Sequence, residues 1–189
     1  MSVYLDYNAS APINEDVLEC MFDVYRNAIG NADSRTHSYG ETARNVVETA
    51  RKQVASLLAV KPDEIFFTSG ATESNNIAIQ GLREYAQENE KKHIITTSIE
   101  HKAILETVKS MEREGFEVEL VSPDLSGRVD AKKVLSKVRD DTLLVSVMHV
   151  NNETGIIQPV KEIGNALKER GTLFHIDATQ SCGNKGSSL

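Results

Sequence analysis

The sequence predicts an α/β domain with a mainly parallel sheet and helices on both faces. Short runs rich in β-branched residues alternate with longer stretches whose apolar residues recur at helical spacing. The run of residues 142–150 is apolar at nearly every position, which is typical of a strand covered on both faces. The chain has no internal repeat, low-complexity segment or Pro/Gly/Ser-rich linker that would divide it.

The individual elements follow from this alternation. Asn14 is suited to cap the first helix, and Pro62 lies where a stop signal for the second helix belongs. Residues 30–40 predict a polar loop. The predicted helices are residues 15–27, 41–61, 72–88, 100–114, 131–138 and 159–170. The predicted strands are residues 64–68 (EIFFT), 93–97, 116–121, 142–150 and 173–176.

Composition narrows the class of partner. The net charge of −7 argues against nucleic acid or an anionic membrane as the main partner. No apolar run approaches the roughly 20 residues of a membrane span, and the start of the chain does not resemble a secretory signal. Cys20 and Cys182 are far apart, with no CxxC spacing. We therefore expect no disulfide framework, no metal site and a location in the reducing cytoplasm.

The segment FFTSGATESNN places Gly70 between a predicted strand and a predicted helix. The free N–H groups and positive dipole end of that helix, at Ala71 and Thr72, would suit a phosphate, with the Thr72 hydroxyl as a further donor. The alternative is an ordinary turn in which Thr72 caps the helix and Glu73 favours its first turn. The pattern is neither a P-loop nor GxGxxG, so it does not indicate a nucleotide site.

Further polar residues follow other predicted strands, at the sheet edge where ligands bind in such folds. His101 could stack on a planar ring or transfer a proton near neutral pH, or it could be a surface or capping histidine. Asn151 and Asn152 offer amide groups, although asparagines are common in loops. Asp177 ends an apolar run, so we expect a partly buried carboxylate that needs a cation or donors, or else a cap of the next turn. Gln180 could donate to a phenolate oxygen.

These groups together match one ligand, pyridoxal phosphate. Its phosphate needs a helix N-terminus, and its ring needs a stacking side chain and an amide near the ring oxygen. Its ring nitrogen needs a carboxylate, because the protonated ring is the electron sink of the cofactor.

The motifs that carry this chemistry also resemble a known family. They match cysteine desulfurases of the iron–sulfur-assembly type, which have the class V aminotransferase fold, in both order and spacing. The matching segments are YLDYNASAP, GNADSRTHSYG, FFTSGATESNN, IEHKAI, VMHVNNETGIIQP and HIDATQS. The resemblance implies a truncated large cofactor-binding domain of fold type I for residues 14–189, with residues 1–13 belonging to the small domain. It also implies a set of cofactor contacts: phosphate to Ala71 and Thr72, ring stacking to His101, ring oxygen to Asn152 and Gln180, and ring nitrogen to Asp177.

The resemblance further implies an activity. Such enzymes remove sulfur from L-cysteine, giving alanine and a protein-bound persulfide that feeds iron–sulfur clusters or thiolation. His101 would be the catalytic acid–base residue. The expected partners are L-cysteine, sulfur-acceptor or scaffold proteins and a second copy of the chain, in the cytoplasm.

One departure from the family pattern concerns the lysine that forms the Schiff base. The family carries it in a later Ser-Gly-His-Lys motif, whereas this sequence reads SCGNKGSSL, and Lys185 comes too early to be that lysine. We therefore expect a truncated enzyme, inactive by itself. The alternatives are a non-catalytic scaffold, a split-enzyme half, or another class V enzyme such as selenocysteine lyase.

Overall fold

The computed structural model describes residues 2–183, so Lys185 lies outside the described residues. The chain forms two compact units, Met1–Phe67 and Thr68–Leu189. The boundary after residue 13, inferred from the family resemblance, concerns a different division and stays a prediction.

The first unit is helical. Its helices are α1 (Glu15–Asn27) and α2 (Ser38–Leu58), followed by a 3₁₀ turn at Pro62–Glu64. Asn14 caps α1 as predicted, because its side chain accepts a hydrogen bond from the Asp16 N–H. Helix α2 begins inside the segment predicted to be a loop, because the Nδ1 atom of His37 accepts from the Gly40 N–H at 3.1 Å and caps the helix. Residues 2–13 are exposed and contain neither helix nor strand.

The strand predicted for EIFFT is wrong. Glu64 ends the 3₁₀ turn, and residues 65–68 form no ladder with any strand in the described part of the chain. Arg51 instead donates to the carbonyl oxygen of Ile65, while the side chains of Phe66 and Phe67 are 81% and 52% exposed. A β-branched and aromatic run becomes a strand only where a neighbouring strand completes its hydrogen bonds.

The second unit contains the sheet. Its strands are β1 (His93–Thr97), β2 (Glu117–Val121), β3 (Thr142–Met148) and β4 (Leu173–Asp177). They lie in the order β2-β1-β3-β4, and every pair is parallel. The predicted parallel sheet is therefore confirmed, and the carboxyl ends of all four strands meet at one edge.

Within residues 68–183, five helices accompany this sheet: α3 (Ala71–Gln80), α4 (Arg83–Glu88), α5 (Lys102–Arg113), α6 (Ala131–Ser136) and α7 (Val160–Arg170). The single helix predicted over residues 72–88 is wrong, because Gly81 and Leu82 separate α3 from α4. The Leu82 N–H bonds to Ile79 in a tighter, 3₁₀-type turn, at a glycine that costs a helix about 1 kcal/mol relative to alanine. Among the described helices, none combines the length and apolar character that crossing a membrane requires.

Helices cover both faces of the sheet. Alternate residues of β1 enter different clusters, with Ile95 packed in the cluster that contains α6 and α7, and Ile94 in the cluster that contains α3 and α5. In β3, Val145 and Leu144 divide in the same way. This two-sided burial explains the continuous apolar run that predicted the strand.

Candidate functional site

The predicted site residues lie at the carboxyl edge of the sheet or at the start of α3. His101 follows β1, Asn152 follows β3, and Asp177 and Gln180 lie at and just after the end of β4. Met148, the last residue of β3, is the register partner of Asp177 in β4. The strand ends therefore bring three of the connecting segments to one place, as expected for a ligand site in a parallel sheet.

The N-terminus of α3 has the properties expected of an anion site. Gly70 is its N-cap residue, and Thr72 is the second residue of the helix, so the alternative in which Thr72 caps α3 is wrong. Apart from the neighbours of Gly70 in the chain, no described atom lies within 4 Å of the position that a Cβ there would occupy, so the approach is open. The Glu73 carboxylate accepts from the Ser69 N–H at 2.6 Å and uses one of the local donors. The N–H groups of Ala71 and Thr72 belong to the first turn, whose donors have no partner within the helix.

Thr72 and His101 line the same cleft. The cleft has a volume of about 370 Å³ and lies between α3 and α5, extending along α5 as far as Ser110. A hydrogen bond of 2.8 Å from Thr107 Oγ1 to Asn76 Oδ1 joins the two helices along it. Of the described site residues, Ala71, Asn152, Asp177 and Gln180 do not line this cleft.

His101 is the N-cap residue of α5, so the capping interpretation of this histidine is correct. Its Nδ1 atom accepts from the Ala103 N–H at 3.1 Å, and its side chain is exposed. An Nδ1 atom that accepts a hydrogen bond carries no proton, so the neutral ring carries its proton on Nε2. Capping therefore fixes the tautomer and leaves Nε2 as the nitrogen available to a ligand.

Asp177 is buried and held by three hydrogen bonds. Its Oδ1 accepts from the N–H and the hydroxyl of Thr179, at 3.0 and 2.6 Å, and its Oδ2 accepts from Asn75 Nδ2 at 2.9 Å. Burial raises the pKa of Asp177, but these bonds and the nearby His175 outweigh it, so the pKa lies below its ordinary value. The carboxylate both caps the turn after β4 and is held as an anion. Asn75, from α3, was not predicted from the sequence.

The two asparagines after β3 have different surroundings. Asn151 is buried, and its Oδ1 accepts from the N–H groups of Glu153 and Thr154 while its Nδ2 donates to the Ile99 carbonyl. Asn152 is partly exposed and donates to Glu153 Oε1 at 2.8 Å. Asn151 therefore builds the loop, and Asn152 is the more accessible of the two. Gln180 is also partly exposed, in the turn after β4.

Glu100 is the second residue that sequence reasoning missed, since it was predicted only as the first residue of a helix, whereas α5 begins at Lys102. Its side chain is 5% exposed, and its Oε1 accepts from Thr97 Oγ1 at 2.6 Å and from the Met148 N–H at 2.9 Å. Burial raises the pKa of Glu100 to about 7, although both hydrogen bonds lower it, and the charge of Asp177 adds to the rise. No local signal in the sequence marks this residue, because its burial and its bond to the Met148 N–H depend on a segment 48 positions away.

The chain is similar to known proteins over most of its length. The family model described as aminotransferase class-V matches residues 3–187. The chain belongs to the class V aminotransferase family. It is 46% identical over 181 residues to the cysteine desulfurase IscS of Anaeromyxobacter sp. (strain K), covering 96% of this chain and 45% of that protein. The resemblance to cysteine desulfurases found in the motifs is thereby confirmed.

Solved structures of this class V family have the same fold. A structure titled NifS-like protein superposes with a TM-score of 0.90 at 44% identity, covering 96% of this chain and 50% of that one. A second, titled SspA in complex with cysteine, has a TM-score of 0.89 at 42% identity and covers 95% of this chain and 51% of that one. The chain thus spans about half the length of the relatives it matches.

The residues of this class V chain fit the cofactor that the motifs suggested. The open N-terminus of α3 suits a phosphate, and the anionic Asp177 suits a protonated ring nitrogen. The assignment of individual contacts to Ala71, Thr72, His101, Asn152, Asp177 and Gln180 stays a prediction.

Proposed function

We propose that this chain forms part of a pyridoxal-phosphate-dependent cysteine desulfurase and supplies the non-covalent contacts to the cofactor. The observation that carries the proposal is the buried Asp177, held as an anion and hydrogen-bonded to α3, the helix whose N-terminus suits a phosphate. The cysteine substrate is supported by the similarity to proteins named cysteine desulfurase and to a structure titled as a complex with cysteine.

Each residue of the site has a distinct part in holding the cofactor. The first-turn N–H groups of Ala71 and Thr72 would bind the phosphate, and the Asp177 carboxylate would pair with the ring nitrogen. Asn152 and Gln180 would donate to the ring oxygen from the loops after β3 and β4. When bound, the cofactor supplies an electron sink for the bonds broken at the substrate.

His101 would contribute stacking and proton transfer. Because Nδ1 accepts the Ala103 N–H, the ring presents a protonated Nε2 to its neighbours. The neutral ring can therefore donate a hydrogen bond from Nε2, and it takes up a proton only at Nδ1, which must first release the Ala103 N–H. The cap holds the ring in one orientation, which favours stacking on a flat partner.

The products and partners follow from the same proposal. Removal of sulfur from L-cysteine leaves alanine and a persulfide on a protein thiol, which a sulfur-acceptor or scaffold protein would then take up. A homodimer in the cytoplasm and delivery to iron–sulfur clusters or thiolation are parts of this proposal.

The test is a chimaera in which this chain is joined to the part of the Anaeromyxobacter relative that it does not cover. We expect the chimaera to bind pyridoxal phosphate and to release alanine from L-cysteine, as measured by amino-acid analysis. Thr72→Ala should weaken cofactor binding, because it removes a phosphate donor, whereas Thr142→Ser, at the opposite edge of the sheet, should not. A folded chimaera that binds no cofactor would refute the proposal.

A further inference from the structure

We propose that Glu100 is a positioning residue of this site, and that its carboxyl group acts in the protonated form. This inference rests on the proposed function only for the identity of the ligand. The role of Glu100 within the fold follows from the chain's own contacts.

The geometry shows what Glu100 connects. Its Oε1 accepts from Thr97, the last residue of β1, and from the N–H of Met148, the last residue of β3. A second bond, from Asn151 Nδ2 to the Ile99 carbonyl at 3.0 Å, fastens the same segment. Residues 97–100 are therefore tied to the end of β3 immediately before His101, so Glu100 sets where α5 begins.

The surroundings of the carboxyl group disfavour a charge. Its Oε2 is buried and has no hydrogen-bond partner among residues 2–183. The charged group that acts on Glu100 is Asp177 of β4, a like charge, and within the described residues no ion pair reaches Glu100 from β1, β3 or α5. An ion buried without a counter-charge costs far more than a neutral acid, so burial raises the pKa of Glu100 to about 7, and the carboxyl group keeps its proton below that pH.

A neutral Glu100 has a consequence for the site. The negative charge of Asp177 acts on the carboxyl group of Glu100, and the surroundings of the two groups shift their pKa values in opposite directions. The pKa of Glu100 is raised, and the pKa of Asp177 is lowered. Asp177 is then the anion that pairs with a cationic ring nitrogen, and a neutral Glu100 adds no second negative charge that would compete for the proton on that nitrogen. Meanwhile Glu100 holds the segment from which His101 projects.

The experiment follows the carboxyl proton and the imidazole tautomer in the 189-residue chain. Infrared spectroscopy should show the C=O band of a buried protonated carboxyl at about pH 6, and the band should be lost at about pH 8.5. Glu100→Gln should abolish the band, whereas Glu106→Gln, an exposed control on α5, should leave it unchanged. Absence of the band in the wild type at about pH 6 would overturn the protonated form.

Positioning is tested by nitrogen NMR of the His101 ring. Glu100→Gln keeps an acceptor for Thr97 and Met148, so it should retain the tautomer with the proton on Nε2. Glu100→Leu removes the acceptor and should give mixed tautomers. An unchanged tautomer in Glu100→Leu would refute positioning. If Glu100→Leu does not fold, Glu100→Asp replaces it, because the shorter side chain cannot span to both donors and should mix the tautomers likewise.

Cofactor titration separates this inference from the proposed function. Monitored by fluorescence in the chimaera, Glu100→Gln should bind pyridoxal phosphate within about twofold of the wild type, and Glu100→Leu or Glu100→Asp should bind it at least tenfold more weakly. If neither the wild-type chimaera nor any variant of it binds the cofactor, the proposed function fails, while the infrared and NMR results still decide the role of Glu100. A tenfold loss in Glu100→Gln would show that the carboxyl must be ionised and would overturn the inference.

Discussion

The stability of the chain should depend on pH through Glu100. The folded form holds this proton more tightly than the unfolded chain, because burial raises the pKa from 4.5 to about 7. Protonated Glu100 therefore makes its full contribution to the free energy of unfolding below about pH 4.5. That contribution is lost as the pH rises through about 7. The relevant change is Glu100→Gln, which keeps the acceptor atom but cannot ionise.

The size of the effect follows from the two pKa values. One pKa unit corresponds to about 1.4 kcal/mol, so full ionisation of Glu100 costs about 3 kcal/mol of unfolding free energy. Between about pH 5.5 and about pH 8 the unfolding free energy falls by about 2 kcal/mol, because part of the total decrease has already occurred at about pH 5.5. Other titrating groups are common to both proteins, so they cancel when the variant is compared with the wild type.

The assay is urea unfolding of both proteins, followed by circular dichroism at each pH. The wild type should lose about 2 kcal/mol more than Glu100→Gln between about pH 5.5 and about pH 8. Glu106→Gln should follow the wild type closely, or deviate slightly in the opposite direction, because Lys109 lowers the pKa of Glu106. Parallel pH profiles for the wild type and Glu100→Gln would refute the reasoning, since Glu100 would then be ionised in both states.

Two further predictions concern the ligand. Asp177→Asn should keep the cap of the turn after β4, because Asn and Asp cap about equally well, yet weaken pyridoxal phosphate binding at least tenfold in a fluorescence titration. Asp141→Asn, at the opposite edge of the sheet, is its control, and equal affinity in all three proteins would remove Asp177 from the site. His101→Asn should preserve the α5 cap, with an unfolding free energy within about 1 kcal/mol of the wild type, while the chimaera loses most of its alanine release. Normal release by the folded variant would restrict His101 to capping.

The parts of the fold that were predictable from the sequence are those fixed by local pattern. The apolar run of β3 and the helical periodicity of α7 depend on residues close together in the chain, and both elements appear where they were expected. The EIFFT segment has the composition of a strand, but a strand also needs a neighbour, and local composition cannot supply that information. The start of α2 was misplaced because its N-cap residue is His37, and histidine is not among the preferred N-cap residues.

The same distinction applies to the site. Residues that follow strands, such as His101 and Asp177, could be found because the end of a strand is visible in the sequence. Asn75 and Glu100 could not, because each acquires its part from a distant segment: Asn75 bonds to a residue 102 positions away, and Glu100 to a backbone N–H 48 positions away. The sequence does not show whether a polar residue is buried. Burial is what places Asn75 as a donor for Asp177 and favours a neutral Glu100. The different surroundings of Glu100 and Asp177 arise only when the sheet brings the ends of its strands together. Residues that support a site in this way therefore have to be identified from the fold.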